Sequence, residues 1–351
     1  MAHNLTIDRM TGKAEMFYCG DAPWHGLGTK VDHALTGAEA IAAAGLGWWV
    51  ERAPLYLQDG SEVPGWKATR RADTGDILGV VSDDYRVIQN LEAFTFLDAL
   101  ATEGAAMFHT AGSTHNSKRV WALVKLPESL VVVPGDRVDQ YLMLYTGHDG
   151  TRGLTILFTP VRVVCDNTVR AALGSLYQNA AGSAPGNYYT IRHIGDVKHQ
   201  LAEAQRVLGI GRKYFEAAGE SFRAMSAREM SAAMLAGYLK AVVPDPEEAI
   251  VRGPGDAATH EQLYRAACDR GQRIRERIAF LFEAGRGNQL PGVRGTLWAA
   301  YNAATEWVDH VNVLRVDGEP KVRGFESAMF GAGEDVRQRA FDAAVTILRA
   351  A

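Results

Sequence analysis

The chain has 351 residues, of which 47% are hydrophobic and 22% charged; this composition excludes a disordered or fibrous protein, and the length predicts two domains or one large elaborated domain. A formal net charge of −4 excludes a whole-chain attraction to nucleic acid or to an anionic membrane and leaves only a local basic patch for such a role. Three scattered cysteines, Cys19, Cys165 and Cys268, match neither a disulfide framework nor a zinc site and fit a reducing cytoplasm; neither a signal-type apolar core at the start nor a run of roughly 20 apolar residues is present, so an exported or membrane-spanning protein is not expected.

Thr36-Gly-Ala-Glu39 has the form of a capping box and predicts a short Ala-rich helix ending at Gly45 or Gly47. Three strand-like segments follow, Trp48–Leu57, Val63–Arg71 and Ile77–Ile88, separated by the turn pairs Asp59-Gly60 and Thr74-Gly75, which predicts an antiparallel meander. Asn90 is placed to cap a helix from Leu91 to about Thr102. Four more strands are predicted at Met107–Ala111, Arg119–Leu126, Gln140–Thr146 and Leu154–Val164, and a helix from Cys165 through Leu173. Such an order favours one curved, mostly antiparallel sheet carrying a few helices.

The Gly/Ala/Ser/Pro-rich residues 178–187 read as a linker. Beyond them Ile194–Gly219, Ala227–Ala241, Thr259–Ala284, Thr296–Val311 and Asp335–Ala350 all read as helices, with a proline-rich loop over Pro244–Gly255. The expected fold class is therefore α+β: a strand-rich domain over residues 1–177, the linker, and a helix-rich domain over residues 188–351.

Several stretches carry a resemblance. Pro23-Trp-His-Gly-Leu-Gly28, Asp73-Thr-Gly75, Leu78-Gly-Val-Val81, Tyr85-Arg-Val-Ile-Gln-Asn90, Gly112-Ser113 and Trp121-Ala-Leu123 stand in the front half; Val161-Arg-Val-Val-Cys-Asp-Asn-Thr168 and Trp298-Ala-Ala-Tyr-Asn302 follow. In order and spacing the chain resembles the phage/plasmid-like proteins that carry a domain of unknown function, family 932 of that series, common on phages, prophages and plasmids. The resemblance implies a mobile-element setting, where replication, recombination and evasion of host defence are the usual tasks. It implies no catalytic residue.

Signatures of phosphate-cradling, zincin and α/β-hydrolase sites are missing, and Gly209-Ile-Gly211 lacks the third glycine of a dinucleotide fingerprint. Glu319-Pro-Lys321, with Asp309 or Asp317, has the outline of a nuclease motif, but proline inside a core strand argues against it. Cys165, before a predicted helix and without an adjacent histidine, reads as a small buried residue sooner than a nucleophile. Asn167 with Arg162 and Arg170 could make an anion site, though capping alone accounts for Asn167.

Three constellations could carry function. On an extended strand Arg119, Trp121 and Lys125 share a face, and Trp66 with Arg70, or Tyr141 with Tyr145, could extend it into a surface that stacks bases and tracks phosphates. The alternative is a partly covered face with snorkelling cations. On the Arg-rich helix Leu263, Ala267, Ile274, Ile278 and Leu281 form the apolar stripe; Arg270, Arg273 and Arg277 border it and are expected to meet carboxylates or an interface, while Arg265, Arg275 and Arg286 remain open to phosphate. On the helix beginning at Gly295, Asn302, Glu306, Asp309 and His310 project as one polar arc, with Glu306 and His310 at i and i+4, suited to a divalent metal or to acid/base chemistry. A salt-linked helix surface is the plainer alternative.

The reading that follows is a non-enzymatic nucleic-acid-handling factor, a single-strand DNA binder or annealing protein for which a homo-oligomer is an option, with no cofactor and no membrane partner expected. The alternatives are a metal-dependent hydrolase or nuclease using Glu306, Asp309 and His310, with Glu306 and His310 as metal ligands, and a protein-binding module acting against host defence.

Overall fold

The computed structural model describes residues 5–20, 27–32, 36–101, 106–162, 167–168, 188–193, 215–247, 257–316, 319–322 and 332–350. They form an α+β fold in two compact units. The first takes Met1–Glu128, Gln140–Thr159 and Ser183–Phe215; the second takes Ser129–Asp139, Pro160–Gly182 and Glu216–Ala351. The predicted linker, residues 178–187, and the glycine pair at 209 and 211 lie outside the described residues. No helix among the described residues is long and apolar enough to cross a membrane.

In the first unit the chain forms β1 (Met16–Cys19), β2 (Thr29–Val31), α1 (Gly37–Ala44), β3 (Val50–Tyr56), β4 (Glu62–Arg71), β5 (Ile77–Ser82) and α2 (Asn90–Ala101). It continues through β6 (Met107–Thr114), β7 (Arg119–Val133), β8 (Asp136–Gly147), β9 (Leu154–Arg162) and, later, β11 (Tyr188–Ile191). The antiparallel strands divide between two sheets. One runs β9-β8-β7-β6-β1-β2 with β11 also on β9, and β3-β4-β5 stands apart as a three-stranded meander. β1 and β2 pair in parallel.

Thr36 makes the predicted capping box with Glu39, and α1 closes at Gly45 in the left-handed conformation. Gly37 is where α1 meets α2: a Cβ there would lie 2.9 Å from the Phe94 carbonyl oxygen. Asp98 of α2 accepts the Gly37 N–H at 2.7 Å. Beneath the helices Phe17, Leu46, Leu78, Phe94, Phe108, Val120 and Leu142 form one apolar core, with Phe94 and Phe108 stacked at 5.7 Å. Burial of these side chains, at about 1.5–3 kcal/mol each, is the main stabilising term.

The polar centre of this unit is unusual. Glu15 and Arg71 are 1% and 5% exposed and pair at 2.5 Å. The second Glu15 oxygen accepts from the Ser113 hydroxyl and from Ser117 at 3.0 Å; Arg71 also donates to Ser117 Oγ and to Asp73. Burial works against the Arg71 charge, but hydrogen bonds to Asp73 and Glu15 outweigh it and hold the guanidinium pKa above its ordinary value. The other face of Arg71 lies on Trp48, 4.7 Å from the ring centre. The pair also fixes a turn: His115, Asn116 and Ser117 between β6 and β7 all have positive φ, a conformation that costs each L-residue about 1–2 kcal/mol. Ser117 is kept there by Glu15, Arg71 and the Thr6 hydroxyl.

Trp48 in turn meets His148 edge-on, with ring centres 5.4 Å apart. The expected capping residue Asn90 has different work, donating to the Leu46 carbonyl and accepting from His148 Nε2 at 2.9 Å. Burial first, then repulsion from His193, pushes the His148 pKa down to about 3, against a small opposing pull from Asp149. His193, whose pKa burial also lowers, stacks on Tyr85 at 4.7 Å.

The second unit contains the far ends of β7, β8 and β9, with β10 (Asn167–Thr168) antiparallel to the end of β9. Of the helix expected over Cys165–Leu173, the described residues are Asn167 and Thr168, and they are extended; Cys165 and Arg170 lie outside the description. Helices follow at residues 215–227 (α3), Ala232–Val242 (α4), Ala257–Ala284 (α5) and Leu297–Glu306 (α6). A π-helical turn, Trp307–Val311, then leads to the hairpin β12 (Val313–Val316) and β13 (Glu319–Val322), and the last helix is α7 (Ala332–Arg349). Every residue of α6 is buried, as a helix packed on all sides must be. Phe222, Trp298, Tyr301 and Phe341 make an aromatic chain around it, and Trp298 donates from Nε1 to Asp136 at 2.8 Å.

Two measurements follow from the polar centre. Glu15→Ala leaves Arg71 buried with one partner fewer and should lower unfolding free energy in urea by about 3–5 kcal/mol, most of which a Glu15→Ala/Arg71→Met double variant should restore. Because the His148 pKa is depressed in the fold, its stabilising effect is complete above about pH 6.5 and is lost as pH falls towards 3, where the unfolded chain takes up a proton that the folded chain refuses. Between pH 7 and 4.5 the wild-type protein should lose about 2–3 kcal/mol more than His148→Gln; equal losses would remove His148 as the cause.

Candidate nucleic-acid interface

The expected cation and aromatic strand surface is not assembled as one face. Trp121, Tyr141 and Tyr145 are 4%, 6% and 2% exposed, which leaves no ring face open for a base. Around them Val120–Ala122 and residues 138–147 are all buried, so both sides of the sheet are covered there. Arg119 is drawn to Asp149 at 3.7 Å, and Lys125 is half-buried. Trp66 and Arg70 are exposed but belong to the separate β3-β4-β5 sheet, where Arg70 pairs with Glu51 at 2.6 Å.

The polar arc of the helix after Gly295 is also redistributed. Asn302 is fully buried and donates to the Trp298 carbonyl. Glu306, 5% exposed, accepts the Arg286 N–H at 3.0 Å and so ties down the loop after α5. Asp309 pairs with Arg337, whose side chain is fully buried. His310 is half-buried. The π-helical turn beginning at Trp307 breaks the 3.6-residue period on which the projection of Glu306 and His310 to one face depended. No group of three or more His, Cys, Asp or Glu side chains among the described residues could hold a metal ion. The Glu319-Pro-Lys321 triplet lies in the two-stranded β12-β13 hairpin, where Pro320 opposes Arg315; every strand there is an edge strand, which is where proline is tolerated.

Helix α5 presents a cationic face. Its buried side runs through Gly271, Ile278, Leu281 and Phe282, which rotates the apolar stripe away from Leu263, 43% exposed. Arg275 consequently faces inward: its side chain is 15% exposed, pairs with Asp245 at 2.8 Å and donates to the Val243 carbonyl at 2.8 Å. A hydrogen bond from Arg275, with its charge and that of Lys240, holds the Asp245 carboxyl below the usual range. Arg265 is exposed and pairs along the helix with Glu261 at 2.5 Å.

Arg270, Arg273 and Arg277 are all exposed, and among the described residues no carboxylate pairs with them. This reverses the expectation that they were the paired set and Arg275 the open one. Gly271 and Phe282, left out of the projected stripe, were the residues that would have corrected it. At i, i+3 and i+7 the three guanidinium groups share a face over about 10 Å of helix. Arg277 lies 4.8 Å over the ring of Phe280, which is 54% exposed. From Ala257 to Arg294 the chain holds seven arginines and four carboxylates, a local positive balance within an acidic protein. A planar guanidinium without a protein partner is suited to bidentate binding of phosphate, and an exposed ring to stacking.

A family model described as a domain of unknown function, DUF932, matches residues 77–338, three quarters of the chain. The protein belongs to that family. Comparison with curated proteins and with solved structures found no match.

The two kinds of arginine on α5 should separate in a stability measurement. Arg275→Ala removes a charge-assisted pair and leaves the Val243 carbonyl without its donor, and should cost about 1–2 kcal/mol in urea unfolding. Arg273→Ala, with nothing to leave behind, should stay within about 0.5 kcal/mol of wild type.

Proposed function

We propose that this protein is a non-enzymatic nucleic-acid-binding factor that takes single-stranded DNA on the exposed face of α5, in the replication or recombination of a mobile element. The observation that carries the reading is the row Arg270, Arg273 and Arg277, exposed without carboxylate partners among the described residues and ending at the half-exposed ring of Phe280. Guanidinium groups unpaired within the protein bind phosphate without first breaking an internal ion pair. Phe280 supplies a stacking surface open to the unpaired bases of a single strand and closed to those of an intact duplex. With a net charge of −4 the protein has no long-range attraction for DNA, so binding depends on this patch and is strongly weakened by salt. A hydrolase built on Glu306 and Asp309 has less support, because both carboxylates are engaged in holding the second unit together.

Fluorescence anisotropy with a labelled single-stranded oligonucleotide and the matching duplex, across a salt series, tests the reading. Wild type should prefer the single strand. Replacing Arg270, Arg273 and Arg277 together by Ala should reduce the slope of log K against log salt by about 2, at about 0.7 per lost phosphate contact. Phe280→Ala should weaken single-strand binding by about 1–3 kcal/mol with little change in slope. Failure of the wild-type protein to bind at low salt, or an unchanged slope in the triple variant, would overturn it.

A further inference from the structure

On α5 the cations and the aromatic ring are arranged with a direction. At about 100° per residue Arg270, Arg273, Arg277 and Phe280 fall within an arc of about 80°, and Phe280 stands about 4.5 Å further along the axis than Arg277. All three arginines of the row therefore lie on the N-terminal side of the ring. Ala284, one turn beyond on the same arc, is uncharged, exposed and the last residue of the helix. The row of charge on α5 thus stops at the ring.

The ring also differs from a free stacking platform. The Arg277 guanidinium lies 4.8 Å from its centre, a cation–π contact that occupies one face. Phe280 is nevertheless 54% exposed, so the other face is the one left to solvent. A ring slipped between two successive bases of a strand must stack on both faces. Phe280 offers one, so it can end a stack of bases but cannot continue it. The guanidinium resting on the ring keeps its N–H edge for a phosphate, because stacking uses its plane and hydrogen bonding its rim.

We infer that the substrate of this surface is the junction between duplex and single-stranded DNA, an inference that rests on the α5 row being the DNA site. The terminal base pair of the duplex lies on the open face of Phe280, and one strand leaves that pair along Arg277, Arg273 and Arg270. Each half of the junction meets what one half of the surface offers. An end pair is already held flat by the duplex beneath it, so laying it on the ring costs less ordering entropy than fixing a single mobile base. The strand that leaves the duplex brings its phosphates to guanidinium groups that have no internal ion pair to break. A blunt duplex has the flat end without the free strand. A single strand has the phosphates without the preformed end, and the junction has both.

The test uses the full-length protein and fluorescence anisotropy with a single strand, a blunt duplex, and duplexes carrying a single-stranded overhang of either polarity. Wild type should bind an overhang duplex at least about fivefold more tightly than the single strand, the effect of one well-stacked end pair. A fluorescent base analogue in that end pair should change its emission on binding. Phe280→Ala, a surface change with little effect on folding, should abolish the preference, and Phe280→Trp should keep it. Replacing Arg270, Arg273 and Arg277 together by Ala should weaken the single strand and the overhang duplex by the same factor. Equal binding of the single strand and both overhang duplexes, or a preference that survives Phe280→Ala, would overturn the junction inference and leave the single-strand reading in place. Absence of binding to every DNA at low salt would overturn that reading and the inference with it.

Discussion

The first unit depends on one buried ion pair. Glu15 precedes β1, Arg71 ends β4, Ser113 lies in β6 and Ser117 in the turn between β6 and β7. These segments are far apart in sequence and meet at two side chains that are almost wholly out of water. A pair this deep stabilises only if its remaining hydrogen-bonding capacity is filled, and here two serine hydroxyls, Asp73 and the face of Trp48 fill it. The same groups hold three consecutive L-residues in the left-handed region. Removing one partner would therefore loosen the β6-β7 turn as well as unbalancing a charge.

From Trp48 the arrangement continues into a second buried polar group, His148 with Asn90 and the Leu46 carbonyl. The neutral imidazole bonded to the first residue of α2 links the large sheet to the helical layer over it. Ionic and neutral polar contacts thus adjoin across one indole ring. The first is costly to break by loss of either partner; the second is weakened by acidification.

Arginine has two physical roles in the second unit. Arg275 and Arg337 are turned inward and answered by Asp245 and Asp309, whereas Arg270, Arg273 and Arg277 are turned outward and have no carboxylate among the described residues. Charged groups that close a fold must be paired, because the interior gives no solvent to stabilise them. Groups that are exposed and unpaired remain available to a ligand. By that standard Glu306 and Asp309 belong with the architecture, and the α5 row is what the proposed binding role rests on.

Much of the fold was legible in residue order. The Thr36-Gly-Ala-Glu39 box, the Asp-Gly and Thr-Gly turns and the long helical periods act over a few residues, and the corresponding elements of α1, β3 to β5, α5 and α6 follow from them. The family, too, was readable from scattered short stretches, because their order along the chain carries the resemblance. The candidate site was less legible. A helical projection placed Arg270, Arg273 and Arg277 within tens of degrees of the apolar stripe, and only the contacts made by Gly271, Ile278 and Phe282 decide on which side of that boundary they fall. The strand reading of Trp121, Tyr141 and Tyr145 missed that these rings are covered, since alternation says which residues share a face but not whether another layer lies on it.

The division is physical. Capping, turn formation, strand alternation and net charge arise from neighbours in the chain, so the sequence by itself determined the α+β class, the main elements and the need for any polyanion site to be local. Pairing of Glu15 with Arg71, the split of the strands into two sheets, the π-helical turn that takes His310 out of register with Glu306, and the exposure of the α5 arginines arise between residues distant in the chain. Those were decided only by tertiary structure, because burial and charge pairing are properties of what packs on a side chain.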